Sequence, residues 1–307
     1  MTTQTDNYDV IIAGGSYAGL AAAMALGRAL RRVLVIDSGL PANRQTPYSH
    51  NFITNDGVTP AEISNKARLE VARYKSVSML QATVVQAKQT NEGFCVTDNN
   101  HKQHHAKKLI LATGITDILP AIPGFAECWG ISVLHCPYCH GYEVRNVPTG
   151  VLGNGDSGYD FALLIANWTP TLTLYTNGPA TLTATQLQVL HNHHINVCAE
   201  KIEGLQHQNG MLNHIVLGNN RIEQVTALYA RLPFILHSNL QQQLGCELTS
   251  DGYIKTDSEN RTTVKGVFAC GDNISRMRTV ANAVATGTAT GILVNKELVT
   301  EKVNYSH

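Results

Sequence analysis

The sequence predicts an α/β protein that contains the same strand–turn–helix unit twice. The apolar run Tyr8–Ala13 leads into a glycine-rich turn at 14–19, and a second apolar run, Val147–Leu152, leads into another at 153–158. An apolar helical pattern follows each turn, and a further short strand follows each helix. Strands that alternate with helices in this way form parallel sheets with helices on both faces. We therefore predict two Rossmann-like, three-layer domains.

Composition sets limits on the function. The 307 residues suffice for two domains with separate cores. The 23 basic and 23 acidic side chains give zero net charge and form no basic run, which argues against partners such as nucleic acid or an anionic membrane. No apolar run is long enough to cross a bilayer. The polar start, Met1 to Asp9, lacks the pattern of a signal peptide, so we expect a cytoplasmic protein.

The first unit has the residues of a dinucleotide site. Glycines let the main chain approach a pyrophosphate, the helix N-terminus supplies amide groups, and an acid at the end of the next strand binds a ribose. A serine replaces the middle glycine of the usual pattern, and its small side chain is compatible with the turn. The predicted binding residues are Gly14, Gly15, Ser16, Ala18, Gly19 and, after the strand Arg32–Ile36, the acid Asp37.

A Cys-x-x-Cys pair, Cys136 and Cys139, lies in the segment His135–Glu143. Two cysteines at this spacing either form a redox-active dithiol or supply half of a zinc site. The other cysteines (Cys95, Cys128, Cys198, Cys246 and Cys270) contain no second pair at ligand spacing, so we predict a redox dithiol and no metal. His140 is a candidate to take a proton from a thiol, or is a packing residue of the loop.

The second unit keeps its glycines but lacks the residues that select a cofactor. Gly153, Gly155 and Gly158 form a complete glycine turn, and the next strand, Thr171–Tyr175, runs into Thr176-Asn177-Gly178. An arginine there would bind the 2′-phosphate of NADPH, and an acid would favour NADH. Neither is present. We therefore predict weak NADPH use and leave NAD(P)H binding open.

Two later stretches are predicted to join the first unit. The strand Lys108–Leu111 ends in the turn Ala112, Thr113 and Gly114, and the strand Gly266–Cys270 delivers Gly271 and Asp272. A long helix is predicted from about Val280, directly after Thr279, to Val299, and its glycines Gly287 and Gly291 permit close packing.

With these motifs in this order, the chain resembles the thioredoxin reductase-like, pyridine nucleotide-disulfide oxidoreductase family. The resemblance implies an FAD-binding domain split between residues 1–115 and 245–307. A second nucleotide-binding domain, residues 116–244, is inserted between them and carries the dithiol. It also implies that Asp272 holds the flavin ribityl chain, that residues 112–114 close over the flavin nucleotide, and that Thr279 and Val280 lie beside the flavin. A homodimer is expected.

The sequence Cys-His-Gly-Tyr-Glu at 139–143 resembles the branch of this family that contains the gliotoxin, holomycin and romidepsin dithiol oxidases. The resemblance implies that Cys136 exchanges with substrate and that Cys139 faces the flavin. The expected substrate is a small dithiol or disulfide, or a thioredoxin-like protein. Two alternatives stay open: a thioredoxin reductase that uses NADPH or a protein donor such as ferredoxin, and a non-catalytic flavin redox sensor. Glu143 either orients His140 or faces water.

Overall fold

The computed structural model describes residues 7–304, so residues 1–6 of the polar start lie outside the described part. The chain forms two compact units. The first comprises the described residues up to Arg44, then Phe52–Thr116, and those from Phe234 onward; the second comprises Gln45–Asn51 and Asp117–Pro233. Each unit is built on a parallel sheet with helices, which confirms the predicted α/β fold with one Rossmann-like unit inserted into another.

The first part of the chain supplies most of the sheet in the first unit. Its parallel strands lie in the order β3-β2-β1-β6, and the antiparallel strands β5 and β4 extend the sheet beyond β6. The elements are β1 (Asn7–Ala13), α1 (Tyr17–Arg28), β2 (Val33–Asp37), α2 (Pro60–Val71), β3 (Val77–Gln81), β4 (Val84–Thr90), β5 (Gly93–Asp98), β6 (Gln103–Leu111) and β7 (Ile115–Asp117).

The second unit contains a five-stranded parallel sheet, in the order β11-β10-β9-β15-β8, and an antiparallel sheet, β12-β13-β14. Its elements are α3 (Phe125–Cys128), β8 (Val133–Leu134), α4 (Pro137–His140), β9 (Thr149–Leu152), α5 (Gly155–Ile165), β10 (Leu172–Tyr175), α6 (Ala184–Asn192), β11 (Ile195–Cys198), β12 (Ile202–Gln208), β13 (Met211–Leu217), β14 (Ile222–Gln224) and β15 (Ala227–Ala230).

The last part of the chain returns to the first unit. Strand β17 pairs in parallel with the end of β6, and β16 pairs with β7 in a separate two-stranded sheet. Leu240 is buried in the core of the first unit, so the chain has rejoined that unit before residue 245. The elements are β16 (Phe234–Leu236), α7 (Leu240–Leu244), β17 (Val267–Ala269) and α8 (Val280–Asn304).

Small residues let the first and last helices of the first unit pack closely. A Cβ added at Gly287 of α8 would overlap the carbonyl oxygen of Ala18 in α1, and one at Gly291 would lie 2.6 Å from the carbonyl oxygen of Ala22. The predicted close approach at these glycines is confirmed. Between residues 7 and 304, no helix combines the length and the apolar character that crossing a membrane requires.

Candidate functional site

The glycine turn of the first unit is shaped by two close approaches of the main chain. Gly14 has φ +104°, a conformation that side chains disfavour, and a Cβ there would overlap the carbonyl oxygen of Ala112. A Cβ at Gly19 would overlap the carbonyl oxygen of Gly14. Helix α1 begins directly after Ser16. The turn leaves no room for larger side chains at these glycines.

Asp37, at the end of β2, is held beside this turn. Its Oδ2 accepts a hydrogen bond from the amide of Gly15 at 2.6 Å, and its Oδ1 accepts one from Arg68 in α2 at 2.7 Å. Ser16 occupies the N-cap position of α1, but its side chain makes no capping hydrogen bond. The N-terminus of α1 is thus left for another acceptor, as a pyrophosphate site requires. Sequence reasoning missed Arg68, which no motif marks.

The other predicted residues of this site meet it at the same edge of the sheet. Register pairs Ala13 with Leu111 and Leu111 with Ala269, so residues 112–114 and Gly271 follow strand ends that lie side by side. A Cβ at Gly271 would lie 2.9 Å from the Cβ of Ala18 in α1. The structure therefore brings together Gly14, Gly15, Ser16, Ala18, Gly19, Asp37, Ala112, Thr113, Gly114, Gly271 and Asp272 around the carboxyl edge of one sheet.

These residues fit FAD, the cofactor that the resemblance implies. Besides the close main-chain turn and the uncapped helix, the site contains the fully buried Asn273, whose Oδ1 has no hydrogen-bond partner among the described residues. A buried polar atom without a partner is costly unless a ligand or water satisfies it. Its Nδ2 donates to the carbonyl oxygen of Leu111 at 3.0 Å. Asn273 was not predicted, although it adjoins Asp272.

Thr279 and Val280 lie at the start of α8. The hydroxyl of Thr279 accepts a hydrogen bond from the amide of Asn282 at 3.1 Å, so Thr279 acts as the N-cap of this helix. This capping bond engages the side-chain oxygen of Thr279. That Thr279 and Val280 lie beside the flavin stays a prediction. With the Thr279 hydroxyl engaged in the cap, the prediction concerns the main chain of these two residues.

The two cysteines of the second unit lie on a very short helix. Cys136 is the N-cap of α4, Pro137 begins the helix, and Cys139 lies within it. The Cys139 thiol donates to the sulfur of Cys136 at 2.6 Å, and both side chains are partly exposed. The sulfur atoms can therefore join with little movement, and substrate can reach them. Within residues 7–304, no group of three His, Cys, Asp or Glu side chains is arranged to bind a metal.

His140 ends the same helix in surroundings that keep it neutral. Burial, reinforced by the charge of His50, lowers the pKa of His140 to about 4. Glu143 pairs with His50, with 3.6 Å between its Oε1 and Nδ1 of the histidine. The partner of Glu143 is thus His50. His140 directly follows Cys139, so the dithiol has a neutral imidazole beside it in the chain at pH 7.

Strand β15 brings a tyrosine close to this group. Tyr229 pairs in register with Leu134, two residues before Cys136, and its side chain is almost fully buried. Burial raises the pKa of its phenol, as do the charges of Cys136 and Glu143. The phenol therefore stays protonated beside the dithiol. Sequence reasoning missed it, because only strand pairing brings residue 229 next to residue 134.

The second glycine turn is bonded to side chains of its own unit. Gly153 and Gly158 pack tightly, since a Cβ at Gly158 would lie 2.6 Å from the carbonyl carbon of Gly153. Unlike α1, helix α5 is capped by a side chain: Oδ1 of Asn154 accepts from the amide of Gly155 at 2.9 Å. Just after β10, Oδ1 of Asn177 accepts from the amide of Ile202 at 2.8 Å. Both asparagines therefore have hydrogen-bond partners within the unit, at the edge where a dinucleotide would bind.

Comparison with known proteins identifies the family. The profile of the pyridine nucleotide-disulphide oxidoreductases matches residues 8–287. A "Thioredoxin reductase tcpT" of Claviceps purpurea is 34% identical over 95% of both chains. Among solved structures, an oxidoreductase from Agrobacterium tumefaciens is 35% identical with a TM-score of 0.90, covering 96% of this chain and 99% of its own.

A putative thioredoxin reductase TrxB from Bacillus anthracis is 31% identical with a TM-score of 0.91, covering 97% of this chain and 99% of its own. These matches confirm the predicted family and FAD as its cofactor, and they support the predicted branch. The chain therefore belongs to the pyridine nucleotide-disulphide oxidoreductase family, as an FAD-dependent oxidoreductase of the thioredoxin reductase-like kind.

Proposed function

We propose that this protein is a dithiol oxidase in which Cys136 and Cys139 exchange electrons between a dithiol substrate and FAD, with little or no use of NADPH. The observation that carries the proposal is the 2.6 Å separation of two partly exposed sulfur atoms next to a neutral histidine. The side-chain cap that Asn154 forms on α5, together with the lack of an arginine or an acid after β10, supports the second part.

The thiol–disulfide exchange begins with Cys136 and Cys139 joined in a disulfide. A substrate thiolate attacks Sγ of Cys136, and the Cys136–Cys139 disulfide breaks, leaving Cys139 as a thiolate. The second thiol of the substrate then attacks its own sulfur in the mixed disulfide and releases Cys136. The substrate has lost two electrons and two protons and contains a disulfide, while the protein pair is reduced.

Proton transfer is assigned to His140. Burial lowers the pKa of His140 to about 4, so the imidazole is neutral at pH 7 but a weak base. It takes the proton of the substrate thiol as the attack releases the thiolate of the neighbouring Cys139, because that negative charge favours the imidazolium. His50, paired with Glu143, lies near enough to His140 for its charge to lower the pKa of that imidazole. The phenol of Tyr229 stays neutral, so it adds no negative charge beside the thiolate of Cys139.

The reduced pair must be reoxidised before another turnover. Bound FAD supplies this chemistry, since a flavin takes two electrons from a thiolate pair and passes them to oxygen. With oxygen as the acceptor, one dithiol and one O₂ give one disulfide and one H₂O₂, so atoms and electrons balance. The residues of the first unit hold the cofactor through the glycine turn, Asp37 and the strand ends described above.

The proposal is tested by following the visible flavin absorbance of the purified protein under anaerobic conditions. Three samples receive NADPH, NADH or a small dithiol. We expect the dithiol alone to bleach the flavin, and we expect air to restore the colour. Rapid bleaching by NADPH would overturn weak NADPH use and favour a thioredoxin reductase, the function named for the relatives from Claviceps and Bacillus.

If neither nicotinamide bleaches the flavin, reduced ferredoxin and reduced thioredoxin are added in turn. Bleaching by ferredoxin would favour a reductase with a protein donor. A flavin spectrum that no dithiol and no electron donor changes would contradict dithiol oxidase and reductase activity. It would favour a non-catalytic flavin redox sensor. A homodimer in the cytoplasm remains part of the proposal, and sedimentation of the FAD-loaded protein tests the dimer.

A further inference from the structure

We propose that Asn154 is a specificity-determining residue: it bridges the second glycine turn to Thr181 and thereby closes this turn against dinucleotides. The inference rests on the proposed function, because it supplies a physical reason for weak NADPH use. It concerns only side chains of the second unit.

A dinucleotide on such a unit occupies two places. Its pyrophosphate lies at the N-terminus of the helix after the first strand, and a ribose lies at the end of the second strand. Here these places are the N-terminus of α5, after β9, and the chain after β10. Register pairs Leu152 with Tyr175, so the two places lie side by side on one sheet edge. A loop that is fastened across both places therefore competes with the ligand.

Asn154 joins them with four hydrogen bonds. Its Oδ1 accepts from the amide of Gly155, from the amide of Thr181 and from the hydroxyl of Thr181, at 2.9, 2.9 and 3.1 Å. Its Nδ2 donates to the carbonyl oxygen of Pro179 at 2.9 Å. One side chain thus caps the helix and also fastens the loop after β10 across the turn.

A second contact strengthens the same connection. Nε2 of Gln186 donates to Oδ1 of Asp156, in the first turn of α5, at 2.7 Å. Gln186 also forms a capping box with Thr183 at the start of α6, so its position is fixed. The loop after β10 is therefore attached to the N-cap of α5 through Asn154, and the first turn of α6 is attached to α5 through Asp156. A dinucleotide would have to break the bonds of Asn154 to reach the helix N-terminus.

The first unit has no side chain at the position that Asn154 occupies. Gly14 and Gly19 have the same spacing as Gly153 and Gly158, so the residue equivalent to Asn154 is Gly15. Its amide donates to Asp37, the acid that is expected to bind a ribose. The side chain directly after the first glycine therefore distinguishes the two turns.

The test uses the FAD-loaded protein, so that the first unit is occupied, and titrates ADP-ribose by calorimetry. ADP-ribose contains the pyrophosphate and the adenosine but lacks the 2′-phosphate, which this chain has no arginine to bind. The variant Asn154→Gly removes all side-chain bonds of the bridge and should bind ADP-ribose at least about 10-fold more tightly than the wild type. Thr181→Ala removes one bond and should gain about 2-fold to 5-fold.

Thr59→Ala is the matched control, because it removes the N-cap of α2 in the first unit and leaves the bridge intact. It should bind ADP-ribose as the wild type does. Equal affinity in the wild type, Asn154→Gly and Thr181→Ala would overturn the inference, as would a wild-type Kd below about 10 μM. If Asn154→Gly does not fold, Thr181→Ala decides alone. Dithiol bleaching of the wild-type flavin is measured separately, so failure of the proposed function is distinguishable.

Discussion

The short helix that carries Cys136 and Cys139 and the strand end that carries Cys270 place cysteine in opposite surroundings. The first two side chains are partly exposed and their sulfur atoms are 2.6 Å apart. Cys270 directly follows β17, is fully buried, and burial raises the pKa of its thiol to about 12. Burial also raises the pKa of Cys128 and Cys246. A thiol reacts as its thiolate, so these three cysteines are protected chemically as well as sterically.

The comparison shows what the Cys-x-x-Cys spacing determines. The spacing brings two sulfur atoms together, whereas exposure and neighbouring groups make them reactive. Cys270 directly precedes Gly271 at the edge where FAD is expected to bind, yet burial makes it a packing residue. Nearness to the cofactor site does not by itself make a cysteine redox-active.

The largest expected effect comes from removing one sulfur atom of the pair. Cys136→Ser and Cys139→Ser should each lower dithiol oxidation about 10³-fold or more, because a hydroxyl neither forms nor resolves a disulfide. Oxygen consumption with a small dithiol measures the loss, and the visible spectrum should show that FAD stays bound. Cys95→Ala, in the buried strand β5, is the control and should keep the activity. Activity within 2-fold of the wild type in either serine variant would contradict the assigned roles.

Alkylation of the folded, reduced protein tests the same contrast without mutation. Iodoacetamide should modify Cys136 or Cys139 about 10²-fold faster than Cys270, because burial holds the latter as a protonated thiol. Mass spectrometry of peptides taken at successive times gives each rate. Unfolding in denaturant should make the rates similar, which serves as the control. Early labelling of Cys270 in the folded protein would show that the strand end is open to solvent.

His140→Gln should have the next largest effect. Loss of the proton acceptor should lower kcat/KM for a dithiol about 10²-fold at pH 7. The loss should shrink above about pH 8.5, where the substrate thiol ionises without help. The measurement is kcat/KM against pH in both proteins. A deficit that stays constant at high pH would mean that His140 packs the loop and moves no proton.

Most of the fold could be predicted from the sequence. The run Tyr8–Ala13 ends at a glycine, and Thr171–Tyr175 lies between Pro170 and the turn Thr176-Asn177-Gly178, so both strands were located to within a residue. The end of α1 was less clear, because Leu30 continues the apolar pattern. It has φ +60°, so the helix ends at Arg28 before reaching it. Local turn geometry overrides periodicity at such a point.

Some residues of the candidate site could be predicted from the sequence, whereas others are placed only by tertiary packing. Glycines, Asp37 and the cysteine pair are recognisable because their spacing follows from local chemistry. Arg68, Tyr229 and the partner of Glu143 are brought into place by tertiary packing, and no pattern along the chain marks them. The bridge from Asn154 to Thr181 spans 27 residues and depends on strand pairing between β9 and β10. The sequence shows that no arginine follows β10, but it does not show the hydrogen bonds between Asn154 and Thr181.

The smallest predicted effect is that of His50 on the pKa of His140, next to the dithiol. Burial is the larger cause of the low pKa of His140 and the charge of His50 the smaller, so His50→Gln should raise that pKa by only a fraction of a pH unit. The acid limb of kcat/KM, expected near pH 4, should move to higher pH by the same amount. Titration of the His140 ring protons by NMR measures the pKa without turnover. His237→Gln, in the first unit, should leave it unchanged. If His50→Gln lowers the pKa or leaves it in place, His50 does not act on His140 through charge.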